Sequence, residues 1–435
     1  MKQKISLEEQ ATGKSFYFIC LGLLVTSLAL ATHLPAYPAM VGHFGLNAGF
    51  AAWMQLGFAF GLTGFQPLFG WIGDTVGQKF VVLFGFVLMA IGSSIVALSP
   101  VFSILVIGLF VKGLAGSAIV PIGFAYIGKF FPQERRGKAL GVAGVYAVIG
   151  AAAGPITAGM FVDTLGWQSS FWLTGVLGAL MFIVISITVP NIKGDKSRSF
   201  DLAGTVLMLF VLIGLLTIPT FINSYGFSSP MMLPSIAVFA ISLFLLVIVE
   251  KKKKQPLIDI HYVSNRHFWV PAVLTIFLAL PFVGIMYLLS FFLQDIQGRA
   301  STVVGLMQLV IFAATAVGNY VIGRWMIKFS PRMAILASTI FIVLGAVMIM
   351  FANSDTSILY IAACLALMGL GTGLVGPAKK AIVLSQANKA SIGVTTFTFT
   401  TIENSVQRVG ASFAIVMFAV FSAGGNGIGA FSRTT

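Results

Sequence analysis

Charge is what this chain has least of. Asp, Glu, Lys and Arg make up 9% of its 435 residues, hydrophobic residues make up 58%, and the mean hydropathy is +1.00. A soluble globular domain carries about 25% charged residues, so a soluble fold is excluded. Acids are scarcer than bases, 12 against 26. Cysteine is nearly absent: Cys20 and Cys364 stand far apart inside apolar runs, which argues against a disulfide framework. No GxxxxGK[ST] loop occurs, which disfavours an ATP-driven pump. No Cys/His metal spacing or nucleophile motif stands out either. The sequence therefore predicts no cofactor, no metal and no enzyme.

What is present is a series of apolar runs long enough to cross a bilayer as helices, rather than as barrel strands. They fall near 16–37, 50–71, 80–98, 101–126, 139–162, 168–190, 203–222, 231–249, 267–293, 302–323, 334–352, 357–383 and 391–421. That gives thirteen spans. Ala29-Leu30-Ala31 resembles a signal-peptidase site, but Glu8 and Glu9 precede the first run, and it continues toward Pro38. A retained first helix is expected. With the N-terminus cytoplasmic, 22 of the 26 basic residues fall in cytoplasmic segments, as the positive-inside rule requires. This accounts for the net charge of +14 without nucleic acid. The expectation is a multi-pass protein of the cell membrane, surrounded by lipid.

The chain also repeats. GLAGSAIVP at 113–121 is echoed by GLGTGLVGP at 369–377, an offset of 256. GWIGDTVGQK at 70–79 is echoed by GRWMIKFSPR at 323–332, an offset of 253. Two matches at nearly one offset predict two related six-helix halves. The expected domains are an N-terminal bundle at 1–190, a cytoplasmic linker with an inserted helix pair at 191–255, and a C-terminal bundle at 256–435. The sixth span begins near 168, so its partner belongs near 424. GGNGIGAFSRTT at 424–435 contains no span, and the last helix is expected to be missing.

These residues resemble the major facilitator superfamily, most of all its fourteen-span drug:proton antiporter branch. GWIGDTVGQK is similar to that superfamily's loop signature G-x-L-A-D-x-x-G-[RK]-[RK] at Gly70, Asp74, Gly77 and Lys79. GAAAGPITAG is similar to the antiporter signature of the fifth helix at Gly150, Gly154, Pro155 and Gly159. SFDLAG with Asp201, QPLIDIHYVSNRHFW (255–269) and FLQDIQGRASTVVGL (292–306) resemble further features of that branch. There are departures. The fourth-helix signature R-x-x-Q-G has Leu109 in place of its arginine and Lys112 in place of its glutamine. The branch's first-helix acid is missing near Thr26, and NSVQRVG (404–410) has the signature's Arg and Gln exchanged. The resemblance implies an all-α major facilitator fold, a monomer in which two bundles rock about a central cavity. It implies that the site at Asp74 latches the outward-facing form.

Several residues are candidates for chemistry. A carboxylate at Asp74 can accept backbone N–H groups at a helix N-terminus. Lys112 lies about ten residues into its span, roughly 15 Å deep, where a lysine costs on the order of 2.5–3.5 kcal/mol. It is expected to face a water-filled cavity. Lys379 and Lys380 are expected to snorkel. Glu403, the acid well inside a span, is the first choice for proton coupling; Arg408, five residues on, does not share its face. The resemblance places the cavity between the first, fourth, seventh and tenth core helices. Tyr37, Phe124, Tyr126, Phe282, Met286 and Tyr287 are the candidate substrate contacts, and His33 is expected at the interface. The bare backbone of Gly150, Gly154 and Gly159 allows close approach, with a bend at Pro155. That face is expected to seal the two halves. The expected function is proton-coupled export of a small amphipathic compound, such as a drug. The alternatives are a metabolite uptake symporter and a transport-inactive membrane scaffold or sensor.

Overall fold

The computed structural model describes residues 13–386 apart from 47–49, 132, 192–200, 226–229, 231, most of 254–287 and 326–330; beyond 386 it describes Glu403 and Gln407. The first half holds α1 (Lys14–Ala31), α2 (His33–His43), α3 (Ala51–Gly64), α4 (Gln66–Thr75), α5 (Gln78–Ala97), α6 (Phe102–Phe130), α7 (Gln133–Leu165) and α8 (Trp167–Thr188). Then come α9 (Leu202–Tyr225), α10 (Met232–Lys251), a π-helical turn (Phe292–Ile296), α11 (Ser301–Trp325), α12 (Pro331–Ile349) and α13 (Ile358–Gln386). Among the described residues, regular structure is entirely helical. This suits a bilayer, where each backbone group must be satisfied within its own segment.

Nine spans among the described residues are long and apolar enough to cross a membrane. The other expected runs have identifiable fates. The 203–222 and 267–293 runs give shorter apolar stretches, Leu202–Ile218 and Gly284–Ile296, and 391–421 lies largely outside the described residues. The 50–71 run is interrupted at Phe65, between α3 and α4, with Pro67 in the first turn of α4. Proline has no N–H to return to the residue four back, so it fits where one helix stops and another starts. The first span carries the same device. Lys14–His43 is one 30-residue span, interrupted at Thr32 between α1 and α2, just before Pro35 and Pro38. Pro155 behaves differently: α7 runs through it without ending.

Contacts divide the chain into two compact units, Met1–Met40 with Gly57–Thr205, and Val41–Leu56 with Val206–Thr435. In the first, α5 packs on α6 and α8, and α1 packs on α7. Its core is apolar, with Val81, Phe86, Met89, Ile119, Ile122 and Met181 all buried. In the second, α13 packs against both α11 and α12. The pair α9 and α10 meets where Gly214 leaves room for the backbone of Phe239, within 2.6 Å of where a methyl carbon would stand. Asp201 opens this pair as a helix cap, its Oδ1 accepting the Gly204 N–H at 2.6 Å.

The two repeats are built with one packing scheme. A methyl carbon on Gly92 of α5 would come within 2.6 Å of Lys112 N and 3.0 Å of Gly108 O on α6. On Gly345 of α12 it would come within 2.7 Å of Cys364 O and 3.3 Å of Met368 N on α13. Gly113 closes on the Phe58 carbonyl and Leu62 N of α3; Gly369 closes on the Ile311 carbonyl and Ala314 Cβ of α11. The paired glycines and carbonyls keep the offsets read from the sequence, 253 for Gly92/Gly345 and Phe58/Ile311, and 256 for Gly108/Cys364 and Gly113/Gly369.

Candidate transport site

Lys112 is fully buried, in the middle of α6. Its Nζ donates to Thr32 Oγ1 at 2.9 Å, and lies 4.5 Å from the centre of the Phe171 ring on α8. Thr32 in turn donates its hydroxyl to Ala29 O at 2.9 Å, so its oxygen faces the amine as an acceptor. The amine is thus held at the interruption of the first span. It is enclosed by a hydroxyl and an aromatic face, where a water-filled cavity was expected. His33, the next residue, is also buried, at 3% exposure. It is an interior residue rather than an interfacial one, packed 4.2 Å from Phe58 and 5.3 Å from Tyr37 between ring centres.

The expected latch sits at a tight turn. Asp74 is half-buried in the last turn of α4, and Gly77 adopts φ +135° before α5, a conformation reserved for glycine. Gly70 is half-buried, with no neighbour where a Cβ would stand. Lys79 Nζ donates to Ser186 O at 2.7 Å, in the last turn of α8. A cation at a helix C-terminus meets carbonyls that the helix itself leaves unpaired.

On α7, a methyl carbon at Gly150 would fall on the Leu24 carbonyl, and one at Gly154 would come within 2.5 Å of Leu28 O. Both partners are on α1. The two glycines are four residues apart, as are the two leucines, so the helices touch backbone to backbone. This bare face is therefore taken up by the first span of the same unit, where a seal between the two halves was expected. Pro155 and Gly159 are buried beside it.

The aromatic candidates separate. Tyr37 is buried against His33; Tyr126 belongs to the apolar core of the first unit; Phe124 packs with the Phe16, Cys20 and Leu23 cluster. Phe282 and Met286 pack into the cluster of Leu289, Leu293, Val304 and Ile311 in the second unit. Glu403 is helical and half-buried. Tyr287, Arg408 and the expected missing helix lie outside the described residues, as do the Lys379 and Lys380 side chains. A shallow recess of 470 Å³ on α5 and α6, lined by residues such as Ile91, Leu98 and Ile104, is apolar and holds none of the candidates.

The pattern of the Major Facilitator Superfamily matches residues 19–413. The chain belongs to the Major Facilitator Superfamily. Within the superfamily it is 25% identical over 370 residues to Multidrug resistance protein 3 of Bacillus subtilis (strain 168), covering 84% of this chain and 72% of that one. It is 24% identical over 403 residues to Riboflavin transporter RibZ of Clostridioides difficile (strain 630), covering 92% and 87%. Among solved structures, a POT family transporter in complex with 5-aminolevulinic acid shares the fold. Its TM-score is 0.68 at 15% identity, covering 96% of this chain and 91% of that one. As a superfamily member, the chain is a multi-pass membrane transporter of small molecules.

Several polar residues in this superfamily member went unnoticed in the sequence. Thr32 and Phe171 complete the surroundings of Lys112. Gln308, in the middle of α11, is 0% exposed, and neither its Oε1 nor its Nε2 has a partner among the described residues. Gln55, at the equivalent place on α3, is 0% exposed too. A signal existed: Met-Gln-Leu at 54–56 recurs at 307–309, the same offset of 253.

Proposed function

We propose that the protein exports small amphipathic compounds in exchange for protons, by alternating access of two six-helix halves, 1–190 and 256–435, around a central cavity. The N-terminus is cytoplasmic and the membrane is the cell membrane. The observation that carries this reading is the repeat, in which Gly92 and Gly345, and Gly113 and Gly369, build equivalent helix joints in the two halves. Within the first half, the bare glycine face of α7 lies directly on the Leu24 and Leu28 carbonyls of α1, and the prolines of the first span supply a place to bend. The multidrug relative supports export of amphipathic compounds. Glu403 is assigned proton coupling, and Asp74 with Lys79 the latch. The absence of a first-helix acid, together with a cation at Lys112, favours neutral or anionic substrates over lipophilic cations.

The riboflavin transporter among the relatives supports a second reading, transport of a heteroaromatic metabolite. Proteoliposomes under an imposed pH gradient separate the two when screened with dyes, antibiotics and riboflavin. Export by exchange predicts that a compound accumulates toward the acidic side while protons leave it. Accumulation on the alkaline side, with the proton flow, would overturn the exchange mechanism.

A further inference from the structure

Lys112 is an exception within its own repeat. The place that it occupies on α6 is taken on α13 by Met368, 256 residues on and 1% exposed. Both stand at the same joint, opposite Gly92 and Gly345. The packing therefore accepts an uncharged linear side chain there, and the fold has no use for the charge. The helices nearest the amine offer it no counter-charge: α1, α2, α3, α5, α6 and α8 contain no Asp or Glu, while α4 and α7, which also pack on α6, carry theirs toward their ends, at Asp74, Glu134 and Asp163. A protonated amine has three N–H donors. The described partners are one hydroxyl oxygen and one ring face. Of the titratable side chains on those helices, His33 is next to Thr32, with its ring against Tyr37 and Phe58. Lys79 lies at the far end of α5, Lys14, Tyr17 and Cys20 toward the other end of α1, His43 at the end of α2, and Tyr126 and Lys129 toward the C-terminal end of α6, while α3 and α8 carry none.

We propose that Lys112 is a proton-binding group of the transport cycle, gaining and losing a proton as the interruption at Thr32 opens and closes around it. This rests on the proton-coupled reading above. In the closed arrangement the ammonium gives one proton to water and becomes an amine that still donates to Thr32. On opening, the nitrogen lone pair takes a proton from water. As the N–H bond breaks an O–H bond of hydronium forms, and on opening the reverse exchange restores the ammonium. Because Thr32 stands between α1 and α2 and is bonded to both the amine and Ala29 O, a change of charge on the amine acts at the interruption itself.

The test uses the full chain in detergent, comparing wild type with Lys112→Met and Lys112→Arg. Each is melted between about pH 6 and pH 9, below the ordinary lysine value of about 10.4. The unfolded chain keeps its lysines protonated over that range, so a closed form that has released the proton gains stability as pH rises. The wild-type melting temperature should climb by a few degrees relative to that of Lys112→Met. Lys112→Arg, which cannot release its charge, should melt below wild type at high pH. Parallel wild-type and Lys112→Met curves would overturn the proposal. If Lys112→Met does not fold, wild type and Lys112→Arg curves that stay parallel have the same meaning. A wild type that moves no compound against a pH gradient would refute proton-coupled transport, while the melting comparison still decides the lysine.

Discussion

The joint between α5 and α6 and the joint between α12 and α13 bury equivalent glycines against equivalent backbone, yet hold a lysine in one and a methionine in the other. Where the repeats agree, the agreement is about space: Gly92 and Gly345, and Gly113 and Gly369, let helices approach to backbone contact. Where they differ, the difference is about charge. The same contrast recurs at the loop signature, where Lys79 is tied to Ser186 O while Arg332, its counterpart by the 253 offset, is exposed. Packing has been kept twice, whereas among the described residues the cations bound into the interior belong to the first repeat.

The strongest way to break this comparison is at the shared glycines. Gly92→Leu and Gly345→Leu should each cost about 3 kcal/mol or more, since the new side chain meets backbone that cannot rotate away. Folded yield on size-exclusion chromatography measures it; tolerance in one repeat alone would show that the joints are not equivalent. Next comes the charge. Met368→Lys should cost about 2.5–3.5 kcal/mol, the expense of a lysine deep in a bilayer, and lower the melting temperature accordingly. Lys112→Met should not.

Smaller effects sharpen the contrast. Gln308→Leu removes an amide whose two polar atoms have no partner among the described residues, so it should stabilise the protein by about 1 kcal/mol. A loss of stability would mean that the amide has a partner in the resting protein. Lys79→Met should cost about 1 kcal/mol through its bond to Ser186, while Arg332→Met should stay within about 0.5 kcal/mol. Equal effects would remove the asymmetry at the loop signature.

The spans, the repeat and the family were legible because each rests on a pattern carried by many residues. Apolar length finds a helix, and two short echoes at nearly one offset find a second copy. The depth of Lys112 was legible by counting. Its surroundings were not, because Phe171 lies in another helix and the runs are apolar all round, so no sequence period says which side faces in. The same limit misplaced His33 at the interface and offered Tyr126 as a cavity residue when it packs in the core. Pro35 and Pro38 were visible, but an unbroken apolar run conceals the interruption at Thr32. At Pro155 the run was read as one span, and α7 does continue through it.

Proton flux in proteoliposomes tests the central claim most directly, that a buried amine in the first repeat couples transport to protons. Vesicles holding wild type or Lys112→Met carry a trapped pH dye, and receive whichever compound the wild type moves in the screen, ethidium and riboflavin among those tried. With wild type, entry of the compound should drive protons the opposite way. With Lys112→Met, the compound should still equilibrate while the proton signal per compound moved falls. Equal proton signals from the two proteins would contradict the account.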